Sequence, residues 1–217
     1  MKHSIRQRAS QVGCEAVLAA ASSKLRRRAA PSLLLPLIVL LLFISICAGG
    51  QFVSKPVNFR LADADGTTHA LEDYTGKIIV LEFWSFKCPP SSAYDERMKE
   101  LDSKYRNRGV IILAVDSNKN ETAAEVLLNR EHRKLPFPVL MDMEGTLAES
   151  LGATHNPSVA ILDGTGALRY RGTIDNSKRP GEQGRSAYVE DALDAMLSGK
   201  PVPQAETKLS GGCSIKR

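Results

Sequence analysis

The sequence predicts an α/β protein, a mixed sheet with helices on both faces, and three observations predict it. Two dense apolar runs, Ile78–Trp84 (interrupted by Glu82) and Gly109–Val115, each have the length of one buried strand. A helical pattern over Ser91–Arg106 separates them, so the three segments make a βαβ unit, with parallel strands covered on both sides. Further on, Ser158–Leu162 and Ala167–Gly172 flank Asp163-Gly164-Thr165-Gly166, the pattern of an antiparallel hairpin.

The remaining elements follow in order. Val57–Ala62 and Thr67–Leu71, parted by Asp63-Ala64-Asp65-Gly66, read as an N-terminal β-hairpin extension. Tyr74-Thr75-Gly76-Lys77 turns the chain into the central strand. Glu121–Lys134 reads as a helix burying Ala124, Val126, Leu127 and Leu128. Phe137–Met141 is a short strand, and Thr146–Leu151 a short helix stopped by Gly152. Ser186–Leu197 carries Ala187, Val189, Ala192, Leu193 and Met196 at helical spacing. Residues 199–217 lack periodicity and read as a flexible C-terminal tail carrying Cys213.

The N-terminal quarter is of another kind. Residues 1–28 hold seven Lys or Arg and one Glu, whereas the rest of the chain carries 22 basic and 23 acidic residues. The net charge of +5 therefore belongs to a tail, and a nucleic-acid face on the folded part is excluded. Residues 29–50 are uncharged and strongly apolar, and Arg26-Arg27-Arg28 stand directly before them. This pattern predicts a cytoplasmic basic tail (1–28), then a signal-anchor or signal peptide (29–50), with everything beyond it exported. Small residues at Ala48, Gly49 and Gly50 permit cleavage, while bulky Ile46 favours an uncleaved anchor. The globular part is residues 51–198. The product is membrane-anchored or secreted, periplasmic in a Gram-negative-type bacterium, with the membrane its first partner. Of four cysteines, only Cys88 and Cys213 fall in the exported part, where disulfide chemistry is available.

Cys88 stands where the central strand hands over to a helix. Unpaired backbone N–H groups and the positive end of the helix dipole favour a thiolate there. Pro89 and Pro90 suit a first helical turn, whose N–H groups lack intrahelical partners. His69, His132 and His155 are scattered without ligand spacing, and no glycine loop for phosphate is present, so no metal or cofactor is expected.

Phe83-Trp84-Ser85-Phe86-Lys87-Cys88-Pro89-Pro90-Ser91 resembles the active-site segment of thioredoxin-like proteins, F-W-x-x-x-C-x-x-C, with serine in place of the second cysteine. Phe137–Asp142 and Gly152–Gly164 are similar to stretches of membrane-anchored redoxins of the TlpA/ResA and AhpC/TSA type, and the resemblance runs from about Val53 to Leu197. It implies a thioredoxin-like fold and an extracytoplasmic thiol–disulfide oxidoreductase. Cys88 would be the nucleophile, and protein thiols or disulfides, or peroxide, the substrate. Pro157 would be the cis-proline beside the cysteine, and Asn156 would offer its backbone to an extended client. Trp84 would belong to the same substrate surface, or pack beneath the active loop. Glu82 falls where thioredoxins bury an acid that relays a proton, unless it faces solvent at a sheet edge. Ser91 would donate a hydrogen bond to the thiolate, or cap the helix.

With Ser91 replacing the second thiol, three outcomes stand open. Cys88 stops at a mixed disulfide released by an outside thiol, it forms a sulfenic acid with peroxide, or a resolving thiol arrives from elsewhere in the chain. Cys213 is the exported candidate for that last role. A dozen extended residues span roughly 40 Å, enough to cross the domain. The competing reading makes Cys213 a surface thiol unconnected with Cys88, or one that pairs between chains. Two other functions compete with the oxidoreductase: a peroxiredoxin-like peroxidase, for which Ser85 and Cys88-Pro89 speak, and a non-catalytic peptide-binding module. An unidentified thiol reductant completes the expected partners.

Overall fold

β-branched and apolar residues at nearly every position over Ile78–Phe83 make the central strand β3, because such a run is stable only when both faces are covered. The computed structural model describes residues 57–177, 186–209 and 211–217. The basic tail and apolar segment expected over residues 1–50 lie outside them. The other strands are β1 (Arg60–Ala62), β2 (Thr68–Ala70), β4 (Val110–Asp116), β5 (Val139–Met141), β6 (His155–Asn156), β7 (Ser158–Leu162), β8 (Leu168–Gly172) and β9 (Cys213–Ser214). The helices are α1 (Pro89–Tyr105), α2 (Ala123–Arg133), α3 (Thr146–Leu151) and α4 (Tyr188–Leu197).

Five strands form the main sheet in the order β5-β4-β3-β7-β8. β3, β4 and β5 are parallel, while β7 and β8 run antiparallel, so the sheet is mixed as expected. Period-two alternation along β3 divides the core. Val80 and Trp84 face a cluster with Met98, Leu101 and Tyr105 of α1, Val126 of α2 and Leu193 of α4. Ile79, Leu81 and Phe83 face the other cluster, with Leu147 and Leu151 of α3 and Val57 and Phe59 of the N-terminal extension. The β1–β2 hairpin covers the free edge of β5 through an Asp63–Leu140 bridge and an Ala64 N–H bonded to the Val139 carbonyl.

Two expectations are corrected. In α2 only Val126 is buried; Ala124 and Leu128 face solvent, Leu128 at 66% exposure. The helix begins later than expected because Thr122 and Glu125 close a capping box, which leaves Glu121 in the preceding loop. The C-terminal stretch, expected to be a flexible tail, lies along the domain. The Thr207 N–H donates to the Arg171 carbonyl and the Arg171 N–H to the Ala205 carbonyl, β9 pairs with β6, and Ile215 is buried in the second cluster. Backbone pairing, the apolar Ile215 side chain and separate polar contacts, such as the Thr173 N–H donating to Thr207 Oγ1, hold it, and none of these leaves a periodic signature.

Candidate active site

β3 ends at Phe83, and the Trp84 N–H bonds the Val115 carbonyl across the sheet. The chain then turns through Ser85-Phe86-Lys87 into α1, whose N-cap is Cys88 in an extended conformation, with Pro89 and Pro90 in the first turn. Neither proline costs a hydrogen bond there. Cys88 is 1% exposed, and its Sγ lies 3.2 Å from the backbone oxygen of Asn156.

That sulfur is joined to Cys213, 125 residues away, in a disulfide with a Cα–Cα distance of 5.9 Å, inside the ordinary range. The partner arrives on a strand. β9 pairs antiparallel with β6, so that Cys213 stands opposite Asn156 and Ser214 opposite His155. The Asn156–Pro157 peptide bond is cis. Beyond the cysteine the tail is held by bonds that do not involve sulfur. The Ile215 N–H donates to the Thr154 carbonyl at 3.0 Å, and the Lys119 N–H donates to the Lys216 carbonyl at 2.8 Å. The Lys216 N–H donates to Asn118 Oδ1 at 3.0 Å, and the Arg217 guanidinium donates to the Ala153 carbonyl. Gly212 passes so close to β6 that a Cβ there would meet the Asn156 oxygen at 2.3 Å, and its φ of +95° is one that side chains rarely adopt.

Glu82 sits mid-sheet, between Ala114 on β4 and Val159 on β7, and is 1% exposed, so the solvent-edge alternative is excluded. One of its carboxyl oxygens has no hydrogen-bond partner. Burial pushes its pKa well above the usual carboxylate range, and the Asp95 charge adds to that. Trp84 has no exposed surface, so it cannot be part of a substrate surface. Its indole N–H donates to Asp95 Oδ1 at 3.0 Å, and Arg133 binds the other Asp95 oxygen at 2.9 Å, so the tryptophan packs beneath the active loop. Ser91 Oγ is fully buried and bonds to nothing, neither capping α1 nor meeting the sulfur, which is committed to its disulfide. Lys87 turns toward α2, where its ammonium meets the Asn120 carbonyl and lies 3.7 Å from Glu125.

Sequence reasoning missed a buried polar cluster under the active loop. Glu121 accepts from Ser85 Oγ and, at 3.2 Å, from the Phe86 N–H. The Ser85 hydroxyl that spoke for a peroxidase is thereby engaged with a carboxylate. Asp116 is fully buried and accepts from the Asn118 N–H and Nδ2; burial and the nearby Glu121 charge push its pKa up to about 8. Asn118 in turn accepts from Asn156 Nδ2 at 3.4 Å, linking this cluster to β6 and to the tail. In the sequence Asp116-Ser117-Asn118-Lys119-Asn120-Glu121 has the composition of an exposed loop, and no local signal marks it as buried.

Residues 53–171 match the AhpC/TSA family, more than half of the chain. Over 111 residues the chain is 31% identical to the thiol-disulfide oxidoreductase ResA of Bacillus thuringiensis subsp. konkukian; the match takes in 51% of this chain and 63% of that protein. The chain thus spans less than two thirds of the length of the first curated relatives it matches. Among solved structures, an uncharacterized conserved protein from Geobacillus kaustophilus superposes with a TM-score of 0.68 at 28% identity, over 76% of this chain and 90% of the other. A putative thioredoxin from Neisseria meningitidis superposes at 0.56 with 19% identity, over 66% of this chain and 89% of that one, a likeness of fold.

Proposed function

This chain belongs to the AhpC/TSA family of thioredoxin-like redoxins, and from that premise we propose that it is an extracytoplasmic thiol–disulfide oxidoreductase with Cys88 as nucleophile and Cys213 as resolving thiol. The Cys88 thiolate attacks one sulfur of a client disulfide. A Cys88–client mixed disulfide forms, and the client's other sulfur leaves as a thiolate that takes a proton. Cys213, as thiolate, then attacks the Cys88 sulfur, forming the Cys88–Cys213 disulfide and expelling the client's second thiolate. An outside dithiol reductant restores the pair.

The observation that carries the reading is the β6–β9 pairing, which sets Cys213 opposite Asn156 and within bonding reach of Cys88. The missing second cysteine of the C-x-x-S segment is thus supplied from the other end of the chain. The name of the ResA relative supports the same reaction class. Glu82, whose pKa burial pushes well above the usual carboxylate range, is the group we assign to hold a proton during exchange. Ser91 lines the buried side of the loop, and Asn156 and Pro157 form the edge that a client meets. The arginine cluster and apolar segment preceding the domain support export, with the catalytic part outside the cytoplasmic membrane.

The test uses the full chain and its Cys88→Ser and Cys213→Ser variants, with insulin disulfides and hydrogen peroxide as alternative oxidants. The wild type is expected to reduce insulin and to show a Cys88–Cys213 linkage by peptide mass after mild oxidation. Cys213→Ser is expected to stall as a mixed disulfide, and Cys88→Ser to be inert. Turnover of Cys213→Ser at the wild-type rate would remove the resolving role. Rapid peroxide consumption with sluggish insulin reduction would replace the oxidoreductase by a peroxidase.

A further inference from the structure

The docked tail occupies the edge that a client needs. β6 is two residues long, and among the described residues its strand partner is β9 of the same chain. An extended client whose cysteine is to reach Cys88 must pass over Asn156, where Cys213 now stands. We propose that clients bind in the place and register of the tail, after displacing it, and that the edge selects a glycine immediately before the reacting cysteine and an aliphatic residue two positions after it. This rests on the oxidoreductase function proposed above.

Each requirement comes from one feature of the tail. Before the cysteine, Gly212 approaches the backbone of Asn156: a Cβ would lie 2.3 Å from its oxygen and 3.1 Å from its carbonyl carbon. The obstacle is backbone of the sheet edge, which cannot rotate away as a side-chain tip would. Any chain that brings a sulfur to Cys88 in this register meets the same oxygen. After the cysteine, period-two alternation turns Ser214 outward and Ile215 inward. Ile215 is 8% exposed and belongs to the apolar cluster of Phe83, Leu147, Leu151 and Ala153. Ser214 and Lys216 are exposed, the Ser214 hydroxyl meeting only the His155 imidazole at a long 3.4 Å, so those positions carry little selection. The Ile215 and Lys216 backbone bonds to Thr154, Lys119 and Asn118 do not depend on the disulfide, and they hold the tail on β6 in the dithiol form as well. The tail is therefore a tethered competitor, and any change that loosens it opens the edge.

The experiment uses the full chain with Cys14, Cys47 and Cys213 replaced by Ser, leaving Cys88 as the sole thiol. The probe is the peptide Gly-Gly-Cys-Ser-Ile-Lys-Arg, its cysteine carried as a mixed disulfide with thionitrobenzoate. The Cys88 thiolate attacks the peptide sulfur, the Cys88–peptide bond forms, and the coloured thionitrobenzoate anion leaves; peptide mass verifies the adduct. Replacing the glycine before the cysteine by Ala, or the Ile by Asp, is expected to slow the reaction tenfold or more, and replacing the Ser by Ala to leave it within twofold. In the protein, Ile215→Asp is expected to speed the reaction with the parent peptide at least tenfold. Gly212→Ala, which loosens the tail without altering the core, is expected to act in the same direction. Equal rates for all peptides, or no acceleration by either protein variant, would overturn the proposal. Free dithiobis-nitrobenzoate separates the two levels: if it labels Cys88 while the peptides are not distinguished, only the selectivity fails, and if it labels Cys88 in no variant, the oxidoreductase reading falls with it.

Discussion

Gly212→Ala tests how the tail holds its sulfur against Cys88. The added Cβ would stand 2.3 Å from the Asn156 oxygen, and ordinary contact begins near 3.4 Å, so β9 must retreat by about an ångström. That retreat stretches the β6–β9 hydrogen bonds, each worth about 0.5–1.5 kcal/mol net. A side chain at a φ of +95° adds about 1 kcal/mol or more of backbone strain. The sum is about 2–4 kcal/mol, felt in the disulfide form and shed in the dithiol form, where the Gly212–Cys213 segment can lift while the Ile215 and Lys216 bonds hold. For a two-electron couple this is a shift of about 40–90 mV toward less negative potential, since 30 mV corresponds to ~1.4 kcal/mol. The assay is equilibration in glutathione buffers, acid quench, thiol alkylation and quantitation of the Cys88 and Cys213 peptides by mass. Gly211→Ala is the control: it also has a positive φ, of +81°, but nothing lies within 4 Å of its Cβ, so strain alone is expected, about 20 mV. A Gly212→Ala shift no larger than that of Gly211→Ala would refute the close-approach argument.

Three further outcomes are expected. Asp116, with its pKa raised to about 8, is protonated in the folded protein and ionised in the unfolded chain above about pH 4. Its contribution to stability is therefore full at low pH and declines by about 1.4 kcal/mol per unit as pH rises toward 8. Urea unfolding at pH 5 and pH 8 should show Asp116→Asn losing less stability across that interval than wild type, and Glu82→Gln, whose pKa is raised for the same reason, should shift the same way. Ile215→Ala should cost the docked tail about 2 kcal/mol or more; tryptic cleavage after exposed Lys208, measured on the reduced protein, should speed up, and an unchanged rate would mean that the tail is held by other contacts. Glu121→Gln leaves one carboxamide oxygen for two donors, Ser85 Oγ and the Phe86 N–H, and should lower stability by about 1–3 kcal/mol in urea titration, with Ser85→Ala in the same background recovering part of the loss.

What the sequence determined by itself is local. The apolar run of β3, the Cys88-Pro89-Pro90 junction and the Thr122–Glu125 cap specify elements through contacts a few residues apart, so their patterns survive in one dimension. The mixed sheet followed from the order of those elements, and Cys88 was legible because strand-to-helix junctions are themselves local. Tertiary structure decided the rest. Cys213 is joined by a disulfide to Cys88, 125 positions away, and by backbone pairing to Asn156, 57 away; the sequence offered Cys213 as one candidate thiol, but backbone donors and acceptors are carried by every residue, so nothing in Gly211-Gly212-Cys213-Ser214-Ile215 selects the edge it joins. Asp116, Ser117, Asn118 and Glu121 are buried, with exposed Lys119 and Asn120 between them, only because the active loop, β6 and the tail close over them, each supplying hydrogen bonds that offset the cost of burial. Periodicity records which face of an element turns inward, but which distant edge receives a strand depends on the free energy of the whole fold.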